Sequence, residues 1–153
     1  MKITTDRFGT LELPCDQMFL FPGGLIGLER RRQWALIPDT DHSAMAWLQS
    51  TTQGNLALPM VSPRAFYPDY RARLADRDLK NLRLRPGDET FILTTVSVHQ
   101  AGMTANLRAP VVLNLRNRLG GQLVTTDEQP VRAALPGMST SSQRTDLSAK
   151  RAA

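Results

Sequence analysis

Alternation of apolar and polar residues at a period of two limits what this chain can fold into more than any other feature. A strand with one face in a core and the other in water produces this period. The clearest cases are Leu11 and Leu13 around Glu12, Tyr70, Ala72 and Leu74 around Arg71 and Arg73, and Val111, Leu113 and Leu115 around Val112 and Asn114. Each is predicted to form a half-buried strand.

Two further segments, residues 91–98 and 34–37, are apolar on both faces and rich in β-branched or aromatic residues, which favours central strands. Turn residues such as Pro22-Gly23-Gly24 and Pro86-Gly87-Asp88 separate the predicted strands. Residues 111–115 and 122–126 are predicted to form a hairpin whose turn is closed by Gly120-Gly121.

One short helix is expected from Asp76, which caps it, to the residues before Pro86-Gly87. Leu79 and Leu82 lie three residues apart on one face and pack it over the sheet. Parallel strands need long crossovers, and the chain has room for only one. The predicted fold is therefore mainly β: a small antiparallel β-barrel or sandwich-like domain with one short helix.

At 153 residues the chain suits one domain, which we place at residues 1–136. Residues 137–153 form a Ser/Thr-rich, basic segment that is predicted to be a disordered tail. The single cysteine, Cys15, has no partner for an internal disulfide. Because the sequence has neither a signal-peptide pattern nor a membrane-length apolar run, we expect a cytoplasmic protein that does not enter membranes.

The chain carries 19 basic and 14 acidic residues, a net charge of +5. Its basic residues are dispersed, and Arg30, Arg31 and Arg32 form the only run. A phosphate-binding surface needs several cations that converge on one groove, so a solvated surface is the preferred interpretation and no nucleic-acid partner is expected. Direct RNA binding by this basic surface remains the alternative function.

No constellation of residues argues for catalysis. His42 and His99 lack neighbours at metal-ligand spacing, so neither metal nor cofactor is expected. A hydrolase that uses Cys15 with His99 is a further alternative, although Cys15 is expected to be a half-buried thiol at a strand end. Asp88 and Glu89 are interpreted as turn residues with ordinary pKa values. We predict a protein that is not an enzyme.

Several blocks, in order, resemble the FliW family of flagellar assembly factors. The resemblance runs from about Lys2 to Leu135, and its most specific block is M-T-A-N-L-R-A-P-V-V-L-N at residues 103–114. The supporting blocks are Phe8-Gly9, F-P-G-G-L-I-G-L at residues 21–28, Trp47-Leu48-Gln49-Ser50, Leu56-Ala57-Leu58 and Phe66-Tyr67-Pro68-Asp69-Tyr70.

This resemblance implies a compact antiparallel β-barrel-like fold, no catalysis and partner switching in the cytoplasm of a flagellated bacterium. FliW-like proteins bind the RNA-binding regulator CsrA and stop it repressing flagellin translation. Flagellin that accumulates before export binds FliW in turn and releases CsrA. We expect a monomer. Members of the family tend to be acidic, whereas this chain is basic, with Arg30-Arg31-Arg32 at positions where acidic residues are common.

The predicted partner-binding residues fall in three places: Trp47 and Gln49 on one strand face; Tyr67, Asp69 and Tyr70 in a proline-rich loop; and Met103, Thr104 and Asn106. A lone tryptophan is often core, although it also anchors interfaces. The alternative for Asn106 is an amide that satisfies backbone groups. Met103 and Thr104 are expected to precede a strand and to offer backbone for strand addition.

Overall fold

Backbone pairing between seven strands closes a ring in the computed structural model, which describes residues 1–138. Most of the predicted tail, residues 139–153, lies outside the described residues. In the described part the strands are β1 (Lys2–Thr5), β2 (Gly9–Glu12), β3 (Met18–Leu20), β4 (Gln33–Pro38), β5 (Met45–Ser50), β6 (Ala57–Val61), β7 (Thr90–His99), β8 (Gly102–Ala105), β9 (Val111–Asn114), β10 (Leu119–Gln122) and β11 (Ala133–Ala134).

The ring runs β7, β6, β5, β4, β3, β10, β9 and back to β7. Neighbouring strands are antiparallel except β3 and β10, which run parallel and meet at Leu20 and Leu119. Closure leaves few unpaired edges in the barrel wall. The prediction of a mainly β, barrel-like domain is confirmed.

One short α-helix, α1 (Asp76–Leu79), continues into a 3-10 helix at Lys80–Leu82, at the place where the short helix is predicted. Leu82 is fully buried and its carbonyl accepts a hydrogen bond from Asn114 Nδ2 at 2.9 Å, so the helical segment packs onto the end of β9. The prediction that Asp76 caps the helix is wrong. Ala75 takes the N-cap position without any side-chain bond, and Asp76 is the first helical residue.

Three apolar clusters hold the chain together. The first fills the barrel with inward-facing side chains of its strands: Phe19, Phe21, Leu25, Trp34, Leu48, Met60, Leu93, Val111 and Leu113. The second lies where β8, β11 and residues 62–75 cover the outer face of β7; its buried members are Met45, Val61, Tyr70, Val96, Met103, Ala105, Leu107, Ala133 and Leu135. A third cluster, Ile3, Leu13 and Ala35, joins the β1–β2 hairpin to β4.

The predicted hairpin of residues 111–126 exists, but Gly120-Gly121 does not form its turn. Both glycines lie inside β10, and the turn is made by residues 115–118, with Arg118 at a positive φ of 55°. A Cβ at residue 120 would lie 2.5 Å from the Phe21 ring. Gly120 is therefore needed for close packing. In addition, β9 is buried on both faces rather than on one.

Two other local predictions are wrong. Tyr70, Ala72 and Leu74 do alternate in burial with exposed arginines, yet they form no strand. No neighbouring strand offers them a ladder. The Arg73 carbonyl accepts from Thr126 N–H at 2.7 Å, and this single backbone bond to a distant segment does not make a strand. Cys15 is exposed and lies in a 3-10 helix, Cys15–Gln17, instead of being half-buried at a strand end.

Candidate functional site

Residues 62–75, here called the 62–75 loop, follow β6 and fold back over the outer face of the barrel. Pro63 starts a 3-10 helix, Pro63–Ala65, and its carbonyl accepts from the N–H groups of Phe66 at 3.1 Å and Tyr67 at 2.8 Å. A further turn joins Tyr70 N–H to the Tyr67 carbonyl at 2.9 Å. Successive turns of this kind suit a proline-rich sequence and place polar side chains such as Arg64 and Asp69 at the surface.

Two tyrosines anchor the 62–75 loop to distant segments. The Tyr67 hydroxyl donates to the Ala134 carbonyl in β11. The buried Tyr70 hydroxyl donates to the Leu107 carbonyl at 2.8 Å. Burial, reinforced by the nearby carboxylate of Asp127, raises the pKa of Tyr70 to about 12. Tyr70 therefore stays a neutral donor over the whole physiological pH range, and the loop is held in one position.

A groove of about 530 Å³, here called the loop groove, separates this loop from the segment after β10. Asp69, Arg71 and Arg73 are exposed along it. Asp127, on the opposite wall, accepts from Gln129 Nε2 at 3.0 Å, while its Oδ1 is buried without a hydrogen-bond partner. Acidic and basic groups are thus mixed in the groove. Such a mixture suits a protein surface better than a phosphate backbone.

Three of the predicted site residues, Tyr67, Asp69 and Tyr70, therefore come together on the walls of the loop groove. Asp69 is exposed, Tyr67 is half-buried and Tyr70 is buried. Asp69 is thus the predicted residue most accessible to a partner, whereas the two tyrosines hold the loop in place. Their contact with a partner stays a prediction.

Trp47 and Gln49 lie on one face of β5, as the alternation predicts, but that face is covered. Trp47 is 2% exposed, its Nε1 donates to Asp39 Oδ1 at 3.0 Å, and the Arg7 guanidinium carbon lies 4.0 Å from the centre of its ring. Gln49 is fully buried. Its Nε2 lies within 3.2 Å of three carbonyl oxygens of the following turn, those of Ser50, Gly54 and Leu56. Both side chains are therefore engaged by contacts within the chain and are not presented at the surface.

The prediction that Met103 and Thr104 precede a strand is wrong, because both residues lie within β8. Thr104 is paired with Ser97 of β7 on one side and with Ala134 of β11 on the other. Strand addition at this point is blocked because β11 already occupies the edge. Asn106 is half-buried, and its Oδ1 accepts from the N–H groups of the two residues at 108 and 109, at 3.0 and 3.2 Å. It satisfies backbone groups, which was the alternative for this residue.

A second opening, missed in the sequence, lies at one end of the barrel. Here the last residues of β4, the residues that follow β6 and the first residues of β5 and β7 surround a cavity of about 430 Å³, the mouth cavity. Phe91 lines it and is 49% exposed, an unusual fraction for a large aromatic side chain on a barrel strand. The only sequence signal for this opening is Pro63, which follows β6 and cannot continue a ladder.

The described residues contain no cluster of three or more His, Cys, Asp or Glu side chains placed to hold a metal ion. Over the same residues, no helix is long and apolar enough to cross a membrane.

The pKa of Asp88 is lowered, contrary to the expectation that it is ordinary, because Asp88 accepts from Arg85 N–H and from the Arg116 guanidinium. These contacts close the turn before β7.

Comparison with known proteins agrees with the resemblance. A sequence model described as FliW protein matches residues 2–135. The flagellar assembly factor FliW of Bdellovibrio bacteriovorus is 37% identical over 129 residues, covering 83% of this chain and 74% of the relative. That of Leptospira biflexa is 34% identical over 131 residues, covering 84% and 86%. A crystal structure of the flagellar assembly factor FliW superposes with a TM-score of 0.80 at 26% identity, covering 88% of this chain and 96% of that one. This chain belongs to the FliW family of flagellar assembly factors.

Proposed function

We propose that this chain binds CsrA in the cytoplasm and relieves its repression of flagellin translation, and that flagellin binding withdraws the chain from CsrA. The observation that carries the proposal is the family match across residues 2–135, which spans nearly all the described residues. The work is done by protein contacts alone, without catalysis. The two partners oppose each other through shared surface or through a coupling free energy between two sites.

The loop groove supports this proposal because it is built in advance of binding. Tyr67 and Tyr70 already tie the 62–75 loop to β11 and to the segment after β8. A partner therefore does not have to order the loop, and less of the interaction free energy is lost on association. Exposed Asp69 and Arg71 both line the loop groove, and charges at the rim of an interface set partner choice and association rate.

The test is a titration of purified CsrA and of purified flagellin, each from the same genome, against the wild-type chain. Asp69→Lys reverses a charge at the rim of the loop groove and is expected to weaken the affinity for at least one partner about tenfold, or roughly 1.4 kcal/mol. Asp16→Lys is the matched control, since Asp16 is also exposed and lies in the 3-10 helix before β3.

Absence of binding to both partners at micromolar concentration would overturn the proposal. Equal affinities for wild type, Asp69→Lys and Asp16→Lys would retain the function and move the interface away from the loop groove. Folding of each variant is checked by its near-ultraviolet circular dichroism, which reports on the buried Trp34 and Trp47.

A further inference from the structure

The barrel wall contains a short gap between β6 and β7. These two strands pair only at Met60 with Thr95 and at Val61 with Thr94. β7 begins four residues earlier, at Thr90, and over residues 90–93 it pairs with β9 on its other side. The gap between residues 62–64 and residues 90–92, here called the notch, opens into the mouth cavity.

The hydrogen-bond pattern shows which backbone groups face the notch. Leu115 N–H donates to the Glu89 carbonyl at 3.0 Å, and residues 89 and 115 continue the register of β7 with β9. Alternate residues of an antiparallel strand direct their N–H and C=O groups to opposite sides. Phe91 and Leu93 therefore bond to β9, whereas Thr90 and Ile92 direct their backbone groups toward the notch.

Pro63 stands opposite Ile92 if the β6–β7 register is continued by two residues. It has no N–H to donate to the Ile92 carbonyl. Its own carbonyl is engaged by Phe66 and Tyr67, so it is not available to the Ile92 N–H. Within residues 1–138, the notch side of Ile92 is left without a backbone partner. A half-buried strand edge of this kind is a template for another strand.

The two faces of the notch differ chemically. On the inner face, the mouth cavity presents apolar side chains, including Leu36, Phe91 and Leu93, and Arg64 lies where this cavity meets the outer face. On the outer face, a cavity of about 630 Å³ is lined by Arg64 and Arg71 with a single acidic residue, Asp69. Arg64 Nε donates to the Tyr70 carbonyl at 3.1 Å, which fixes this arginine beside the notch.

We propose that the notch binds an extended segment of a protein partner, which adds as a strand beside residues 90–93 of β7. The segment runs antiparallel to β7, in line with β6, and bonds to the N–H and C=O groups of Thr90 and Ile92. Side chains of a strand alternate between its faces, so the segment carries apolar residues toward the mouth cavity and acidic residues toward Arg64 and Arg71. The inference rests on the proposed protein-binding function and names the chemistry of the bound segment.

The direct test uses a capped ten-residue peptide of alternating leucine and aspartate and the ¹⁵N-labelled chain. Binding is expected to shift the amide resonances of Thr90 and Ile92 and to slow their hydrogen exchange at least tenfold. The bound segment continues the register of β6, in which the outward-facing Val61 pairs with Thr94 of β7. The outward-facing residues of the segment are therefore the ones whose backbone groups bond to β7. Peptides N-methylated at the aspartates are therefore expected to lose binding, while peptides N-methylated at the leucines retain it.

The chain itself supplies a matched pair of variants. Arg71→Glu reverses charge on the outer face of the notch and is expected to weaken peptide binding about tenfold. Arg30→Glu changes an arginine that is also exposed but lines neither cavity, and it should leave binding unchanged. No binding of the parent peptide, or equal loss from the two sets of N-methylated peptides, would overturn the inference.

A parallel titration with CsrA and flagellin separates this inference from the proposed function. If either protein binds while the peptide does not, the inference fails and the function stands. If the peptide binds and neither protein does, the notch is a binding site and the proposed partners are wrong.

Discussion

Replacing Tyr70 with phenylalanine tests how the 62–75 loop is held. The change removes one hydroxyl and leaves the Leu107 carbonyl, in a residue only 3% exposed, without its 2.8 Å hydrogen bond. A buried acceptor that loses its partner costs about 1 to 3 kcal/mol. Unfolding entropy is about 2.1 cal/mol/K per residue, so a domain of this size should lose roughly 3 to 10 °C in Tm.

Tyr67→Phe is the matched control for Tyr70→Phe. It also removes one hydroxyl that donates to a backbone carbonyl, but Ala134 is exposed and water can replace the lost donor. The expected cost is below about 1 kcal/mol. Thermal and urea unfolding, followed by tryptophan fluorescence, measure both variants. Equal effects, or an unchanged Tm for Tyr70→Phe, would show that burial of the Tyr70–Leu107 contact does not stabilise the loop.

Tyr70→Phe is also expected to change how the free energy of unfolding responds to alkaline pH. The Tyr70 pKa rises from 10.0 to about 12 on folding, chiefly through burial and secondarily through Asp127. Below pH 10 the phenol is neutral in both states and its full stabilising effect is present. Between pH 10 and 12 the unfolded chain loses this proton first, so the free energy of unfolding falls as pH rises. Tyr70→Phe should lack that part of the fall.

The remaining predictions concern close packing inside the barrel and the stability of the domain at acid pH. Gly120→Ala places a Cβ 2.5 Å from the buried Phe21 ring and should cost about 1 to 3 kcal/mol in urea unfolding. Gly121→Ala meets nothing nearer than 3.5 Å and should be almost neutral; similar losses for both would refute the close-packing role of residue 120. The lowered pKa of Asp88 contributes stability above its ordinary pKa of 3.8 that is lost as pH falls below it, so Asp88→Asn should flatten the acid limb of an unfolding titration. An unchanged limb would contradict the lowered pKa.

Much of the barrel is predictable because its strands carry strong local signals. Residues 91–98 and 34–37, apolar on both faces, correspond to β7 and β4. Ring closure is not predictable in this way, since β7 pairs with β9 across a separation that local pattern does not encode. Gly120 shows a different limit. A glycine needed for close approach and a glycine needed for a turn look alike in sequence, and only the position of Phe21 distinguishes them.

Part of the candidate site is likewise predictable from the sequence, and part of it is not. Proline at residues 63 and 68 indicates an irregular surface loop, and the loop groove lies there. The alternation at Tyr70, by contrast, reflects a segment packed against the second apolar cluster without a partner strand, so period alone is misleading. Trp47 and Gln49 are covered by contacts with Arg7 and with the turn after β5, which no pattern within β5 indicates.

The notch was not predictable because it depends on the register between β6 and β7, in which Met60 pairs with Thr95 and Val61 with Thr94, residues far apart in the chain. Pro63 indicates that β6 must end, but it does not indicate that β7 continues past that point. Register of this kind is set by the apolar pattern of the assembled sheet.

Isothermal titration calorimetry of this chain with CsrA, performed before and after saturation with flagellin, tests the central claim most directly. Partner switching predicts heat of binding with CsrA alone and loss of that heat once flagellin is bound, since occupation by one partner must lower the affinity for the other. Heat with CsrA that is unchanged by flagellin would contradict the switch, and absence of heat with either partner would contradict the proposed function itself.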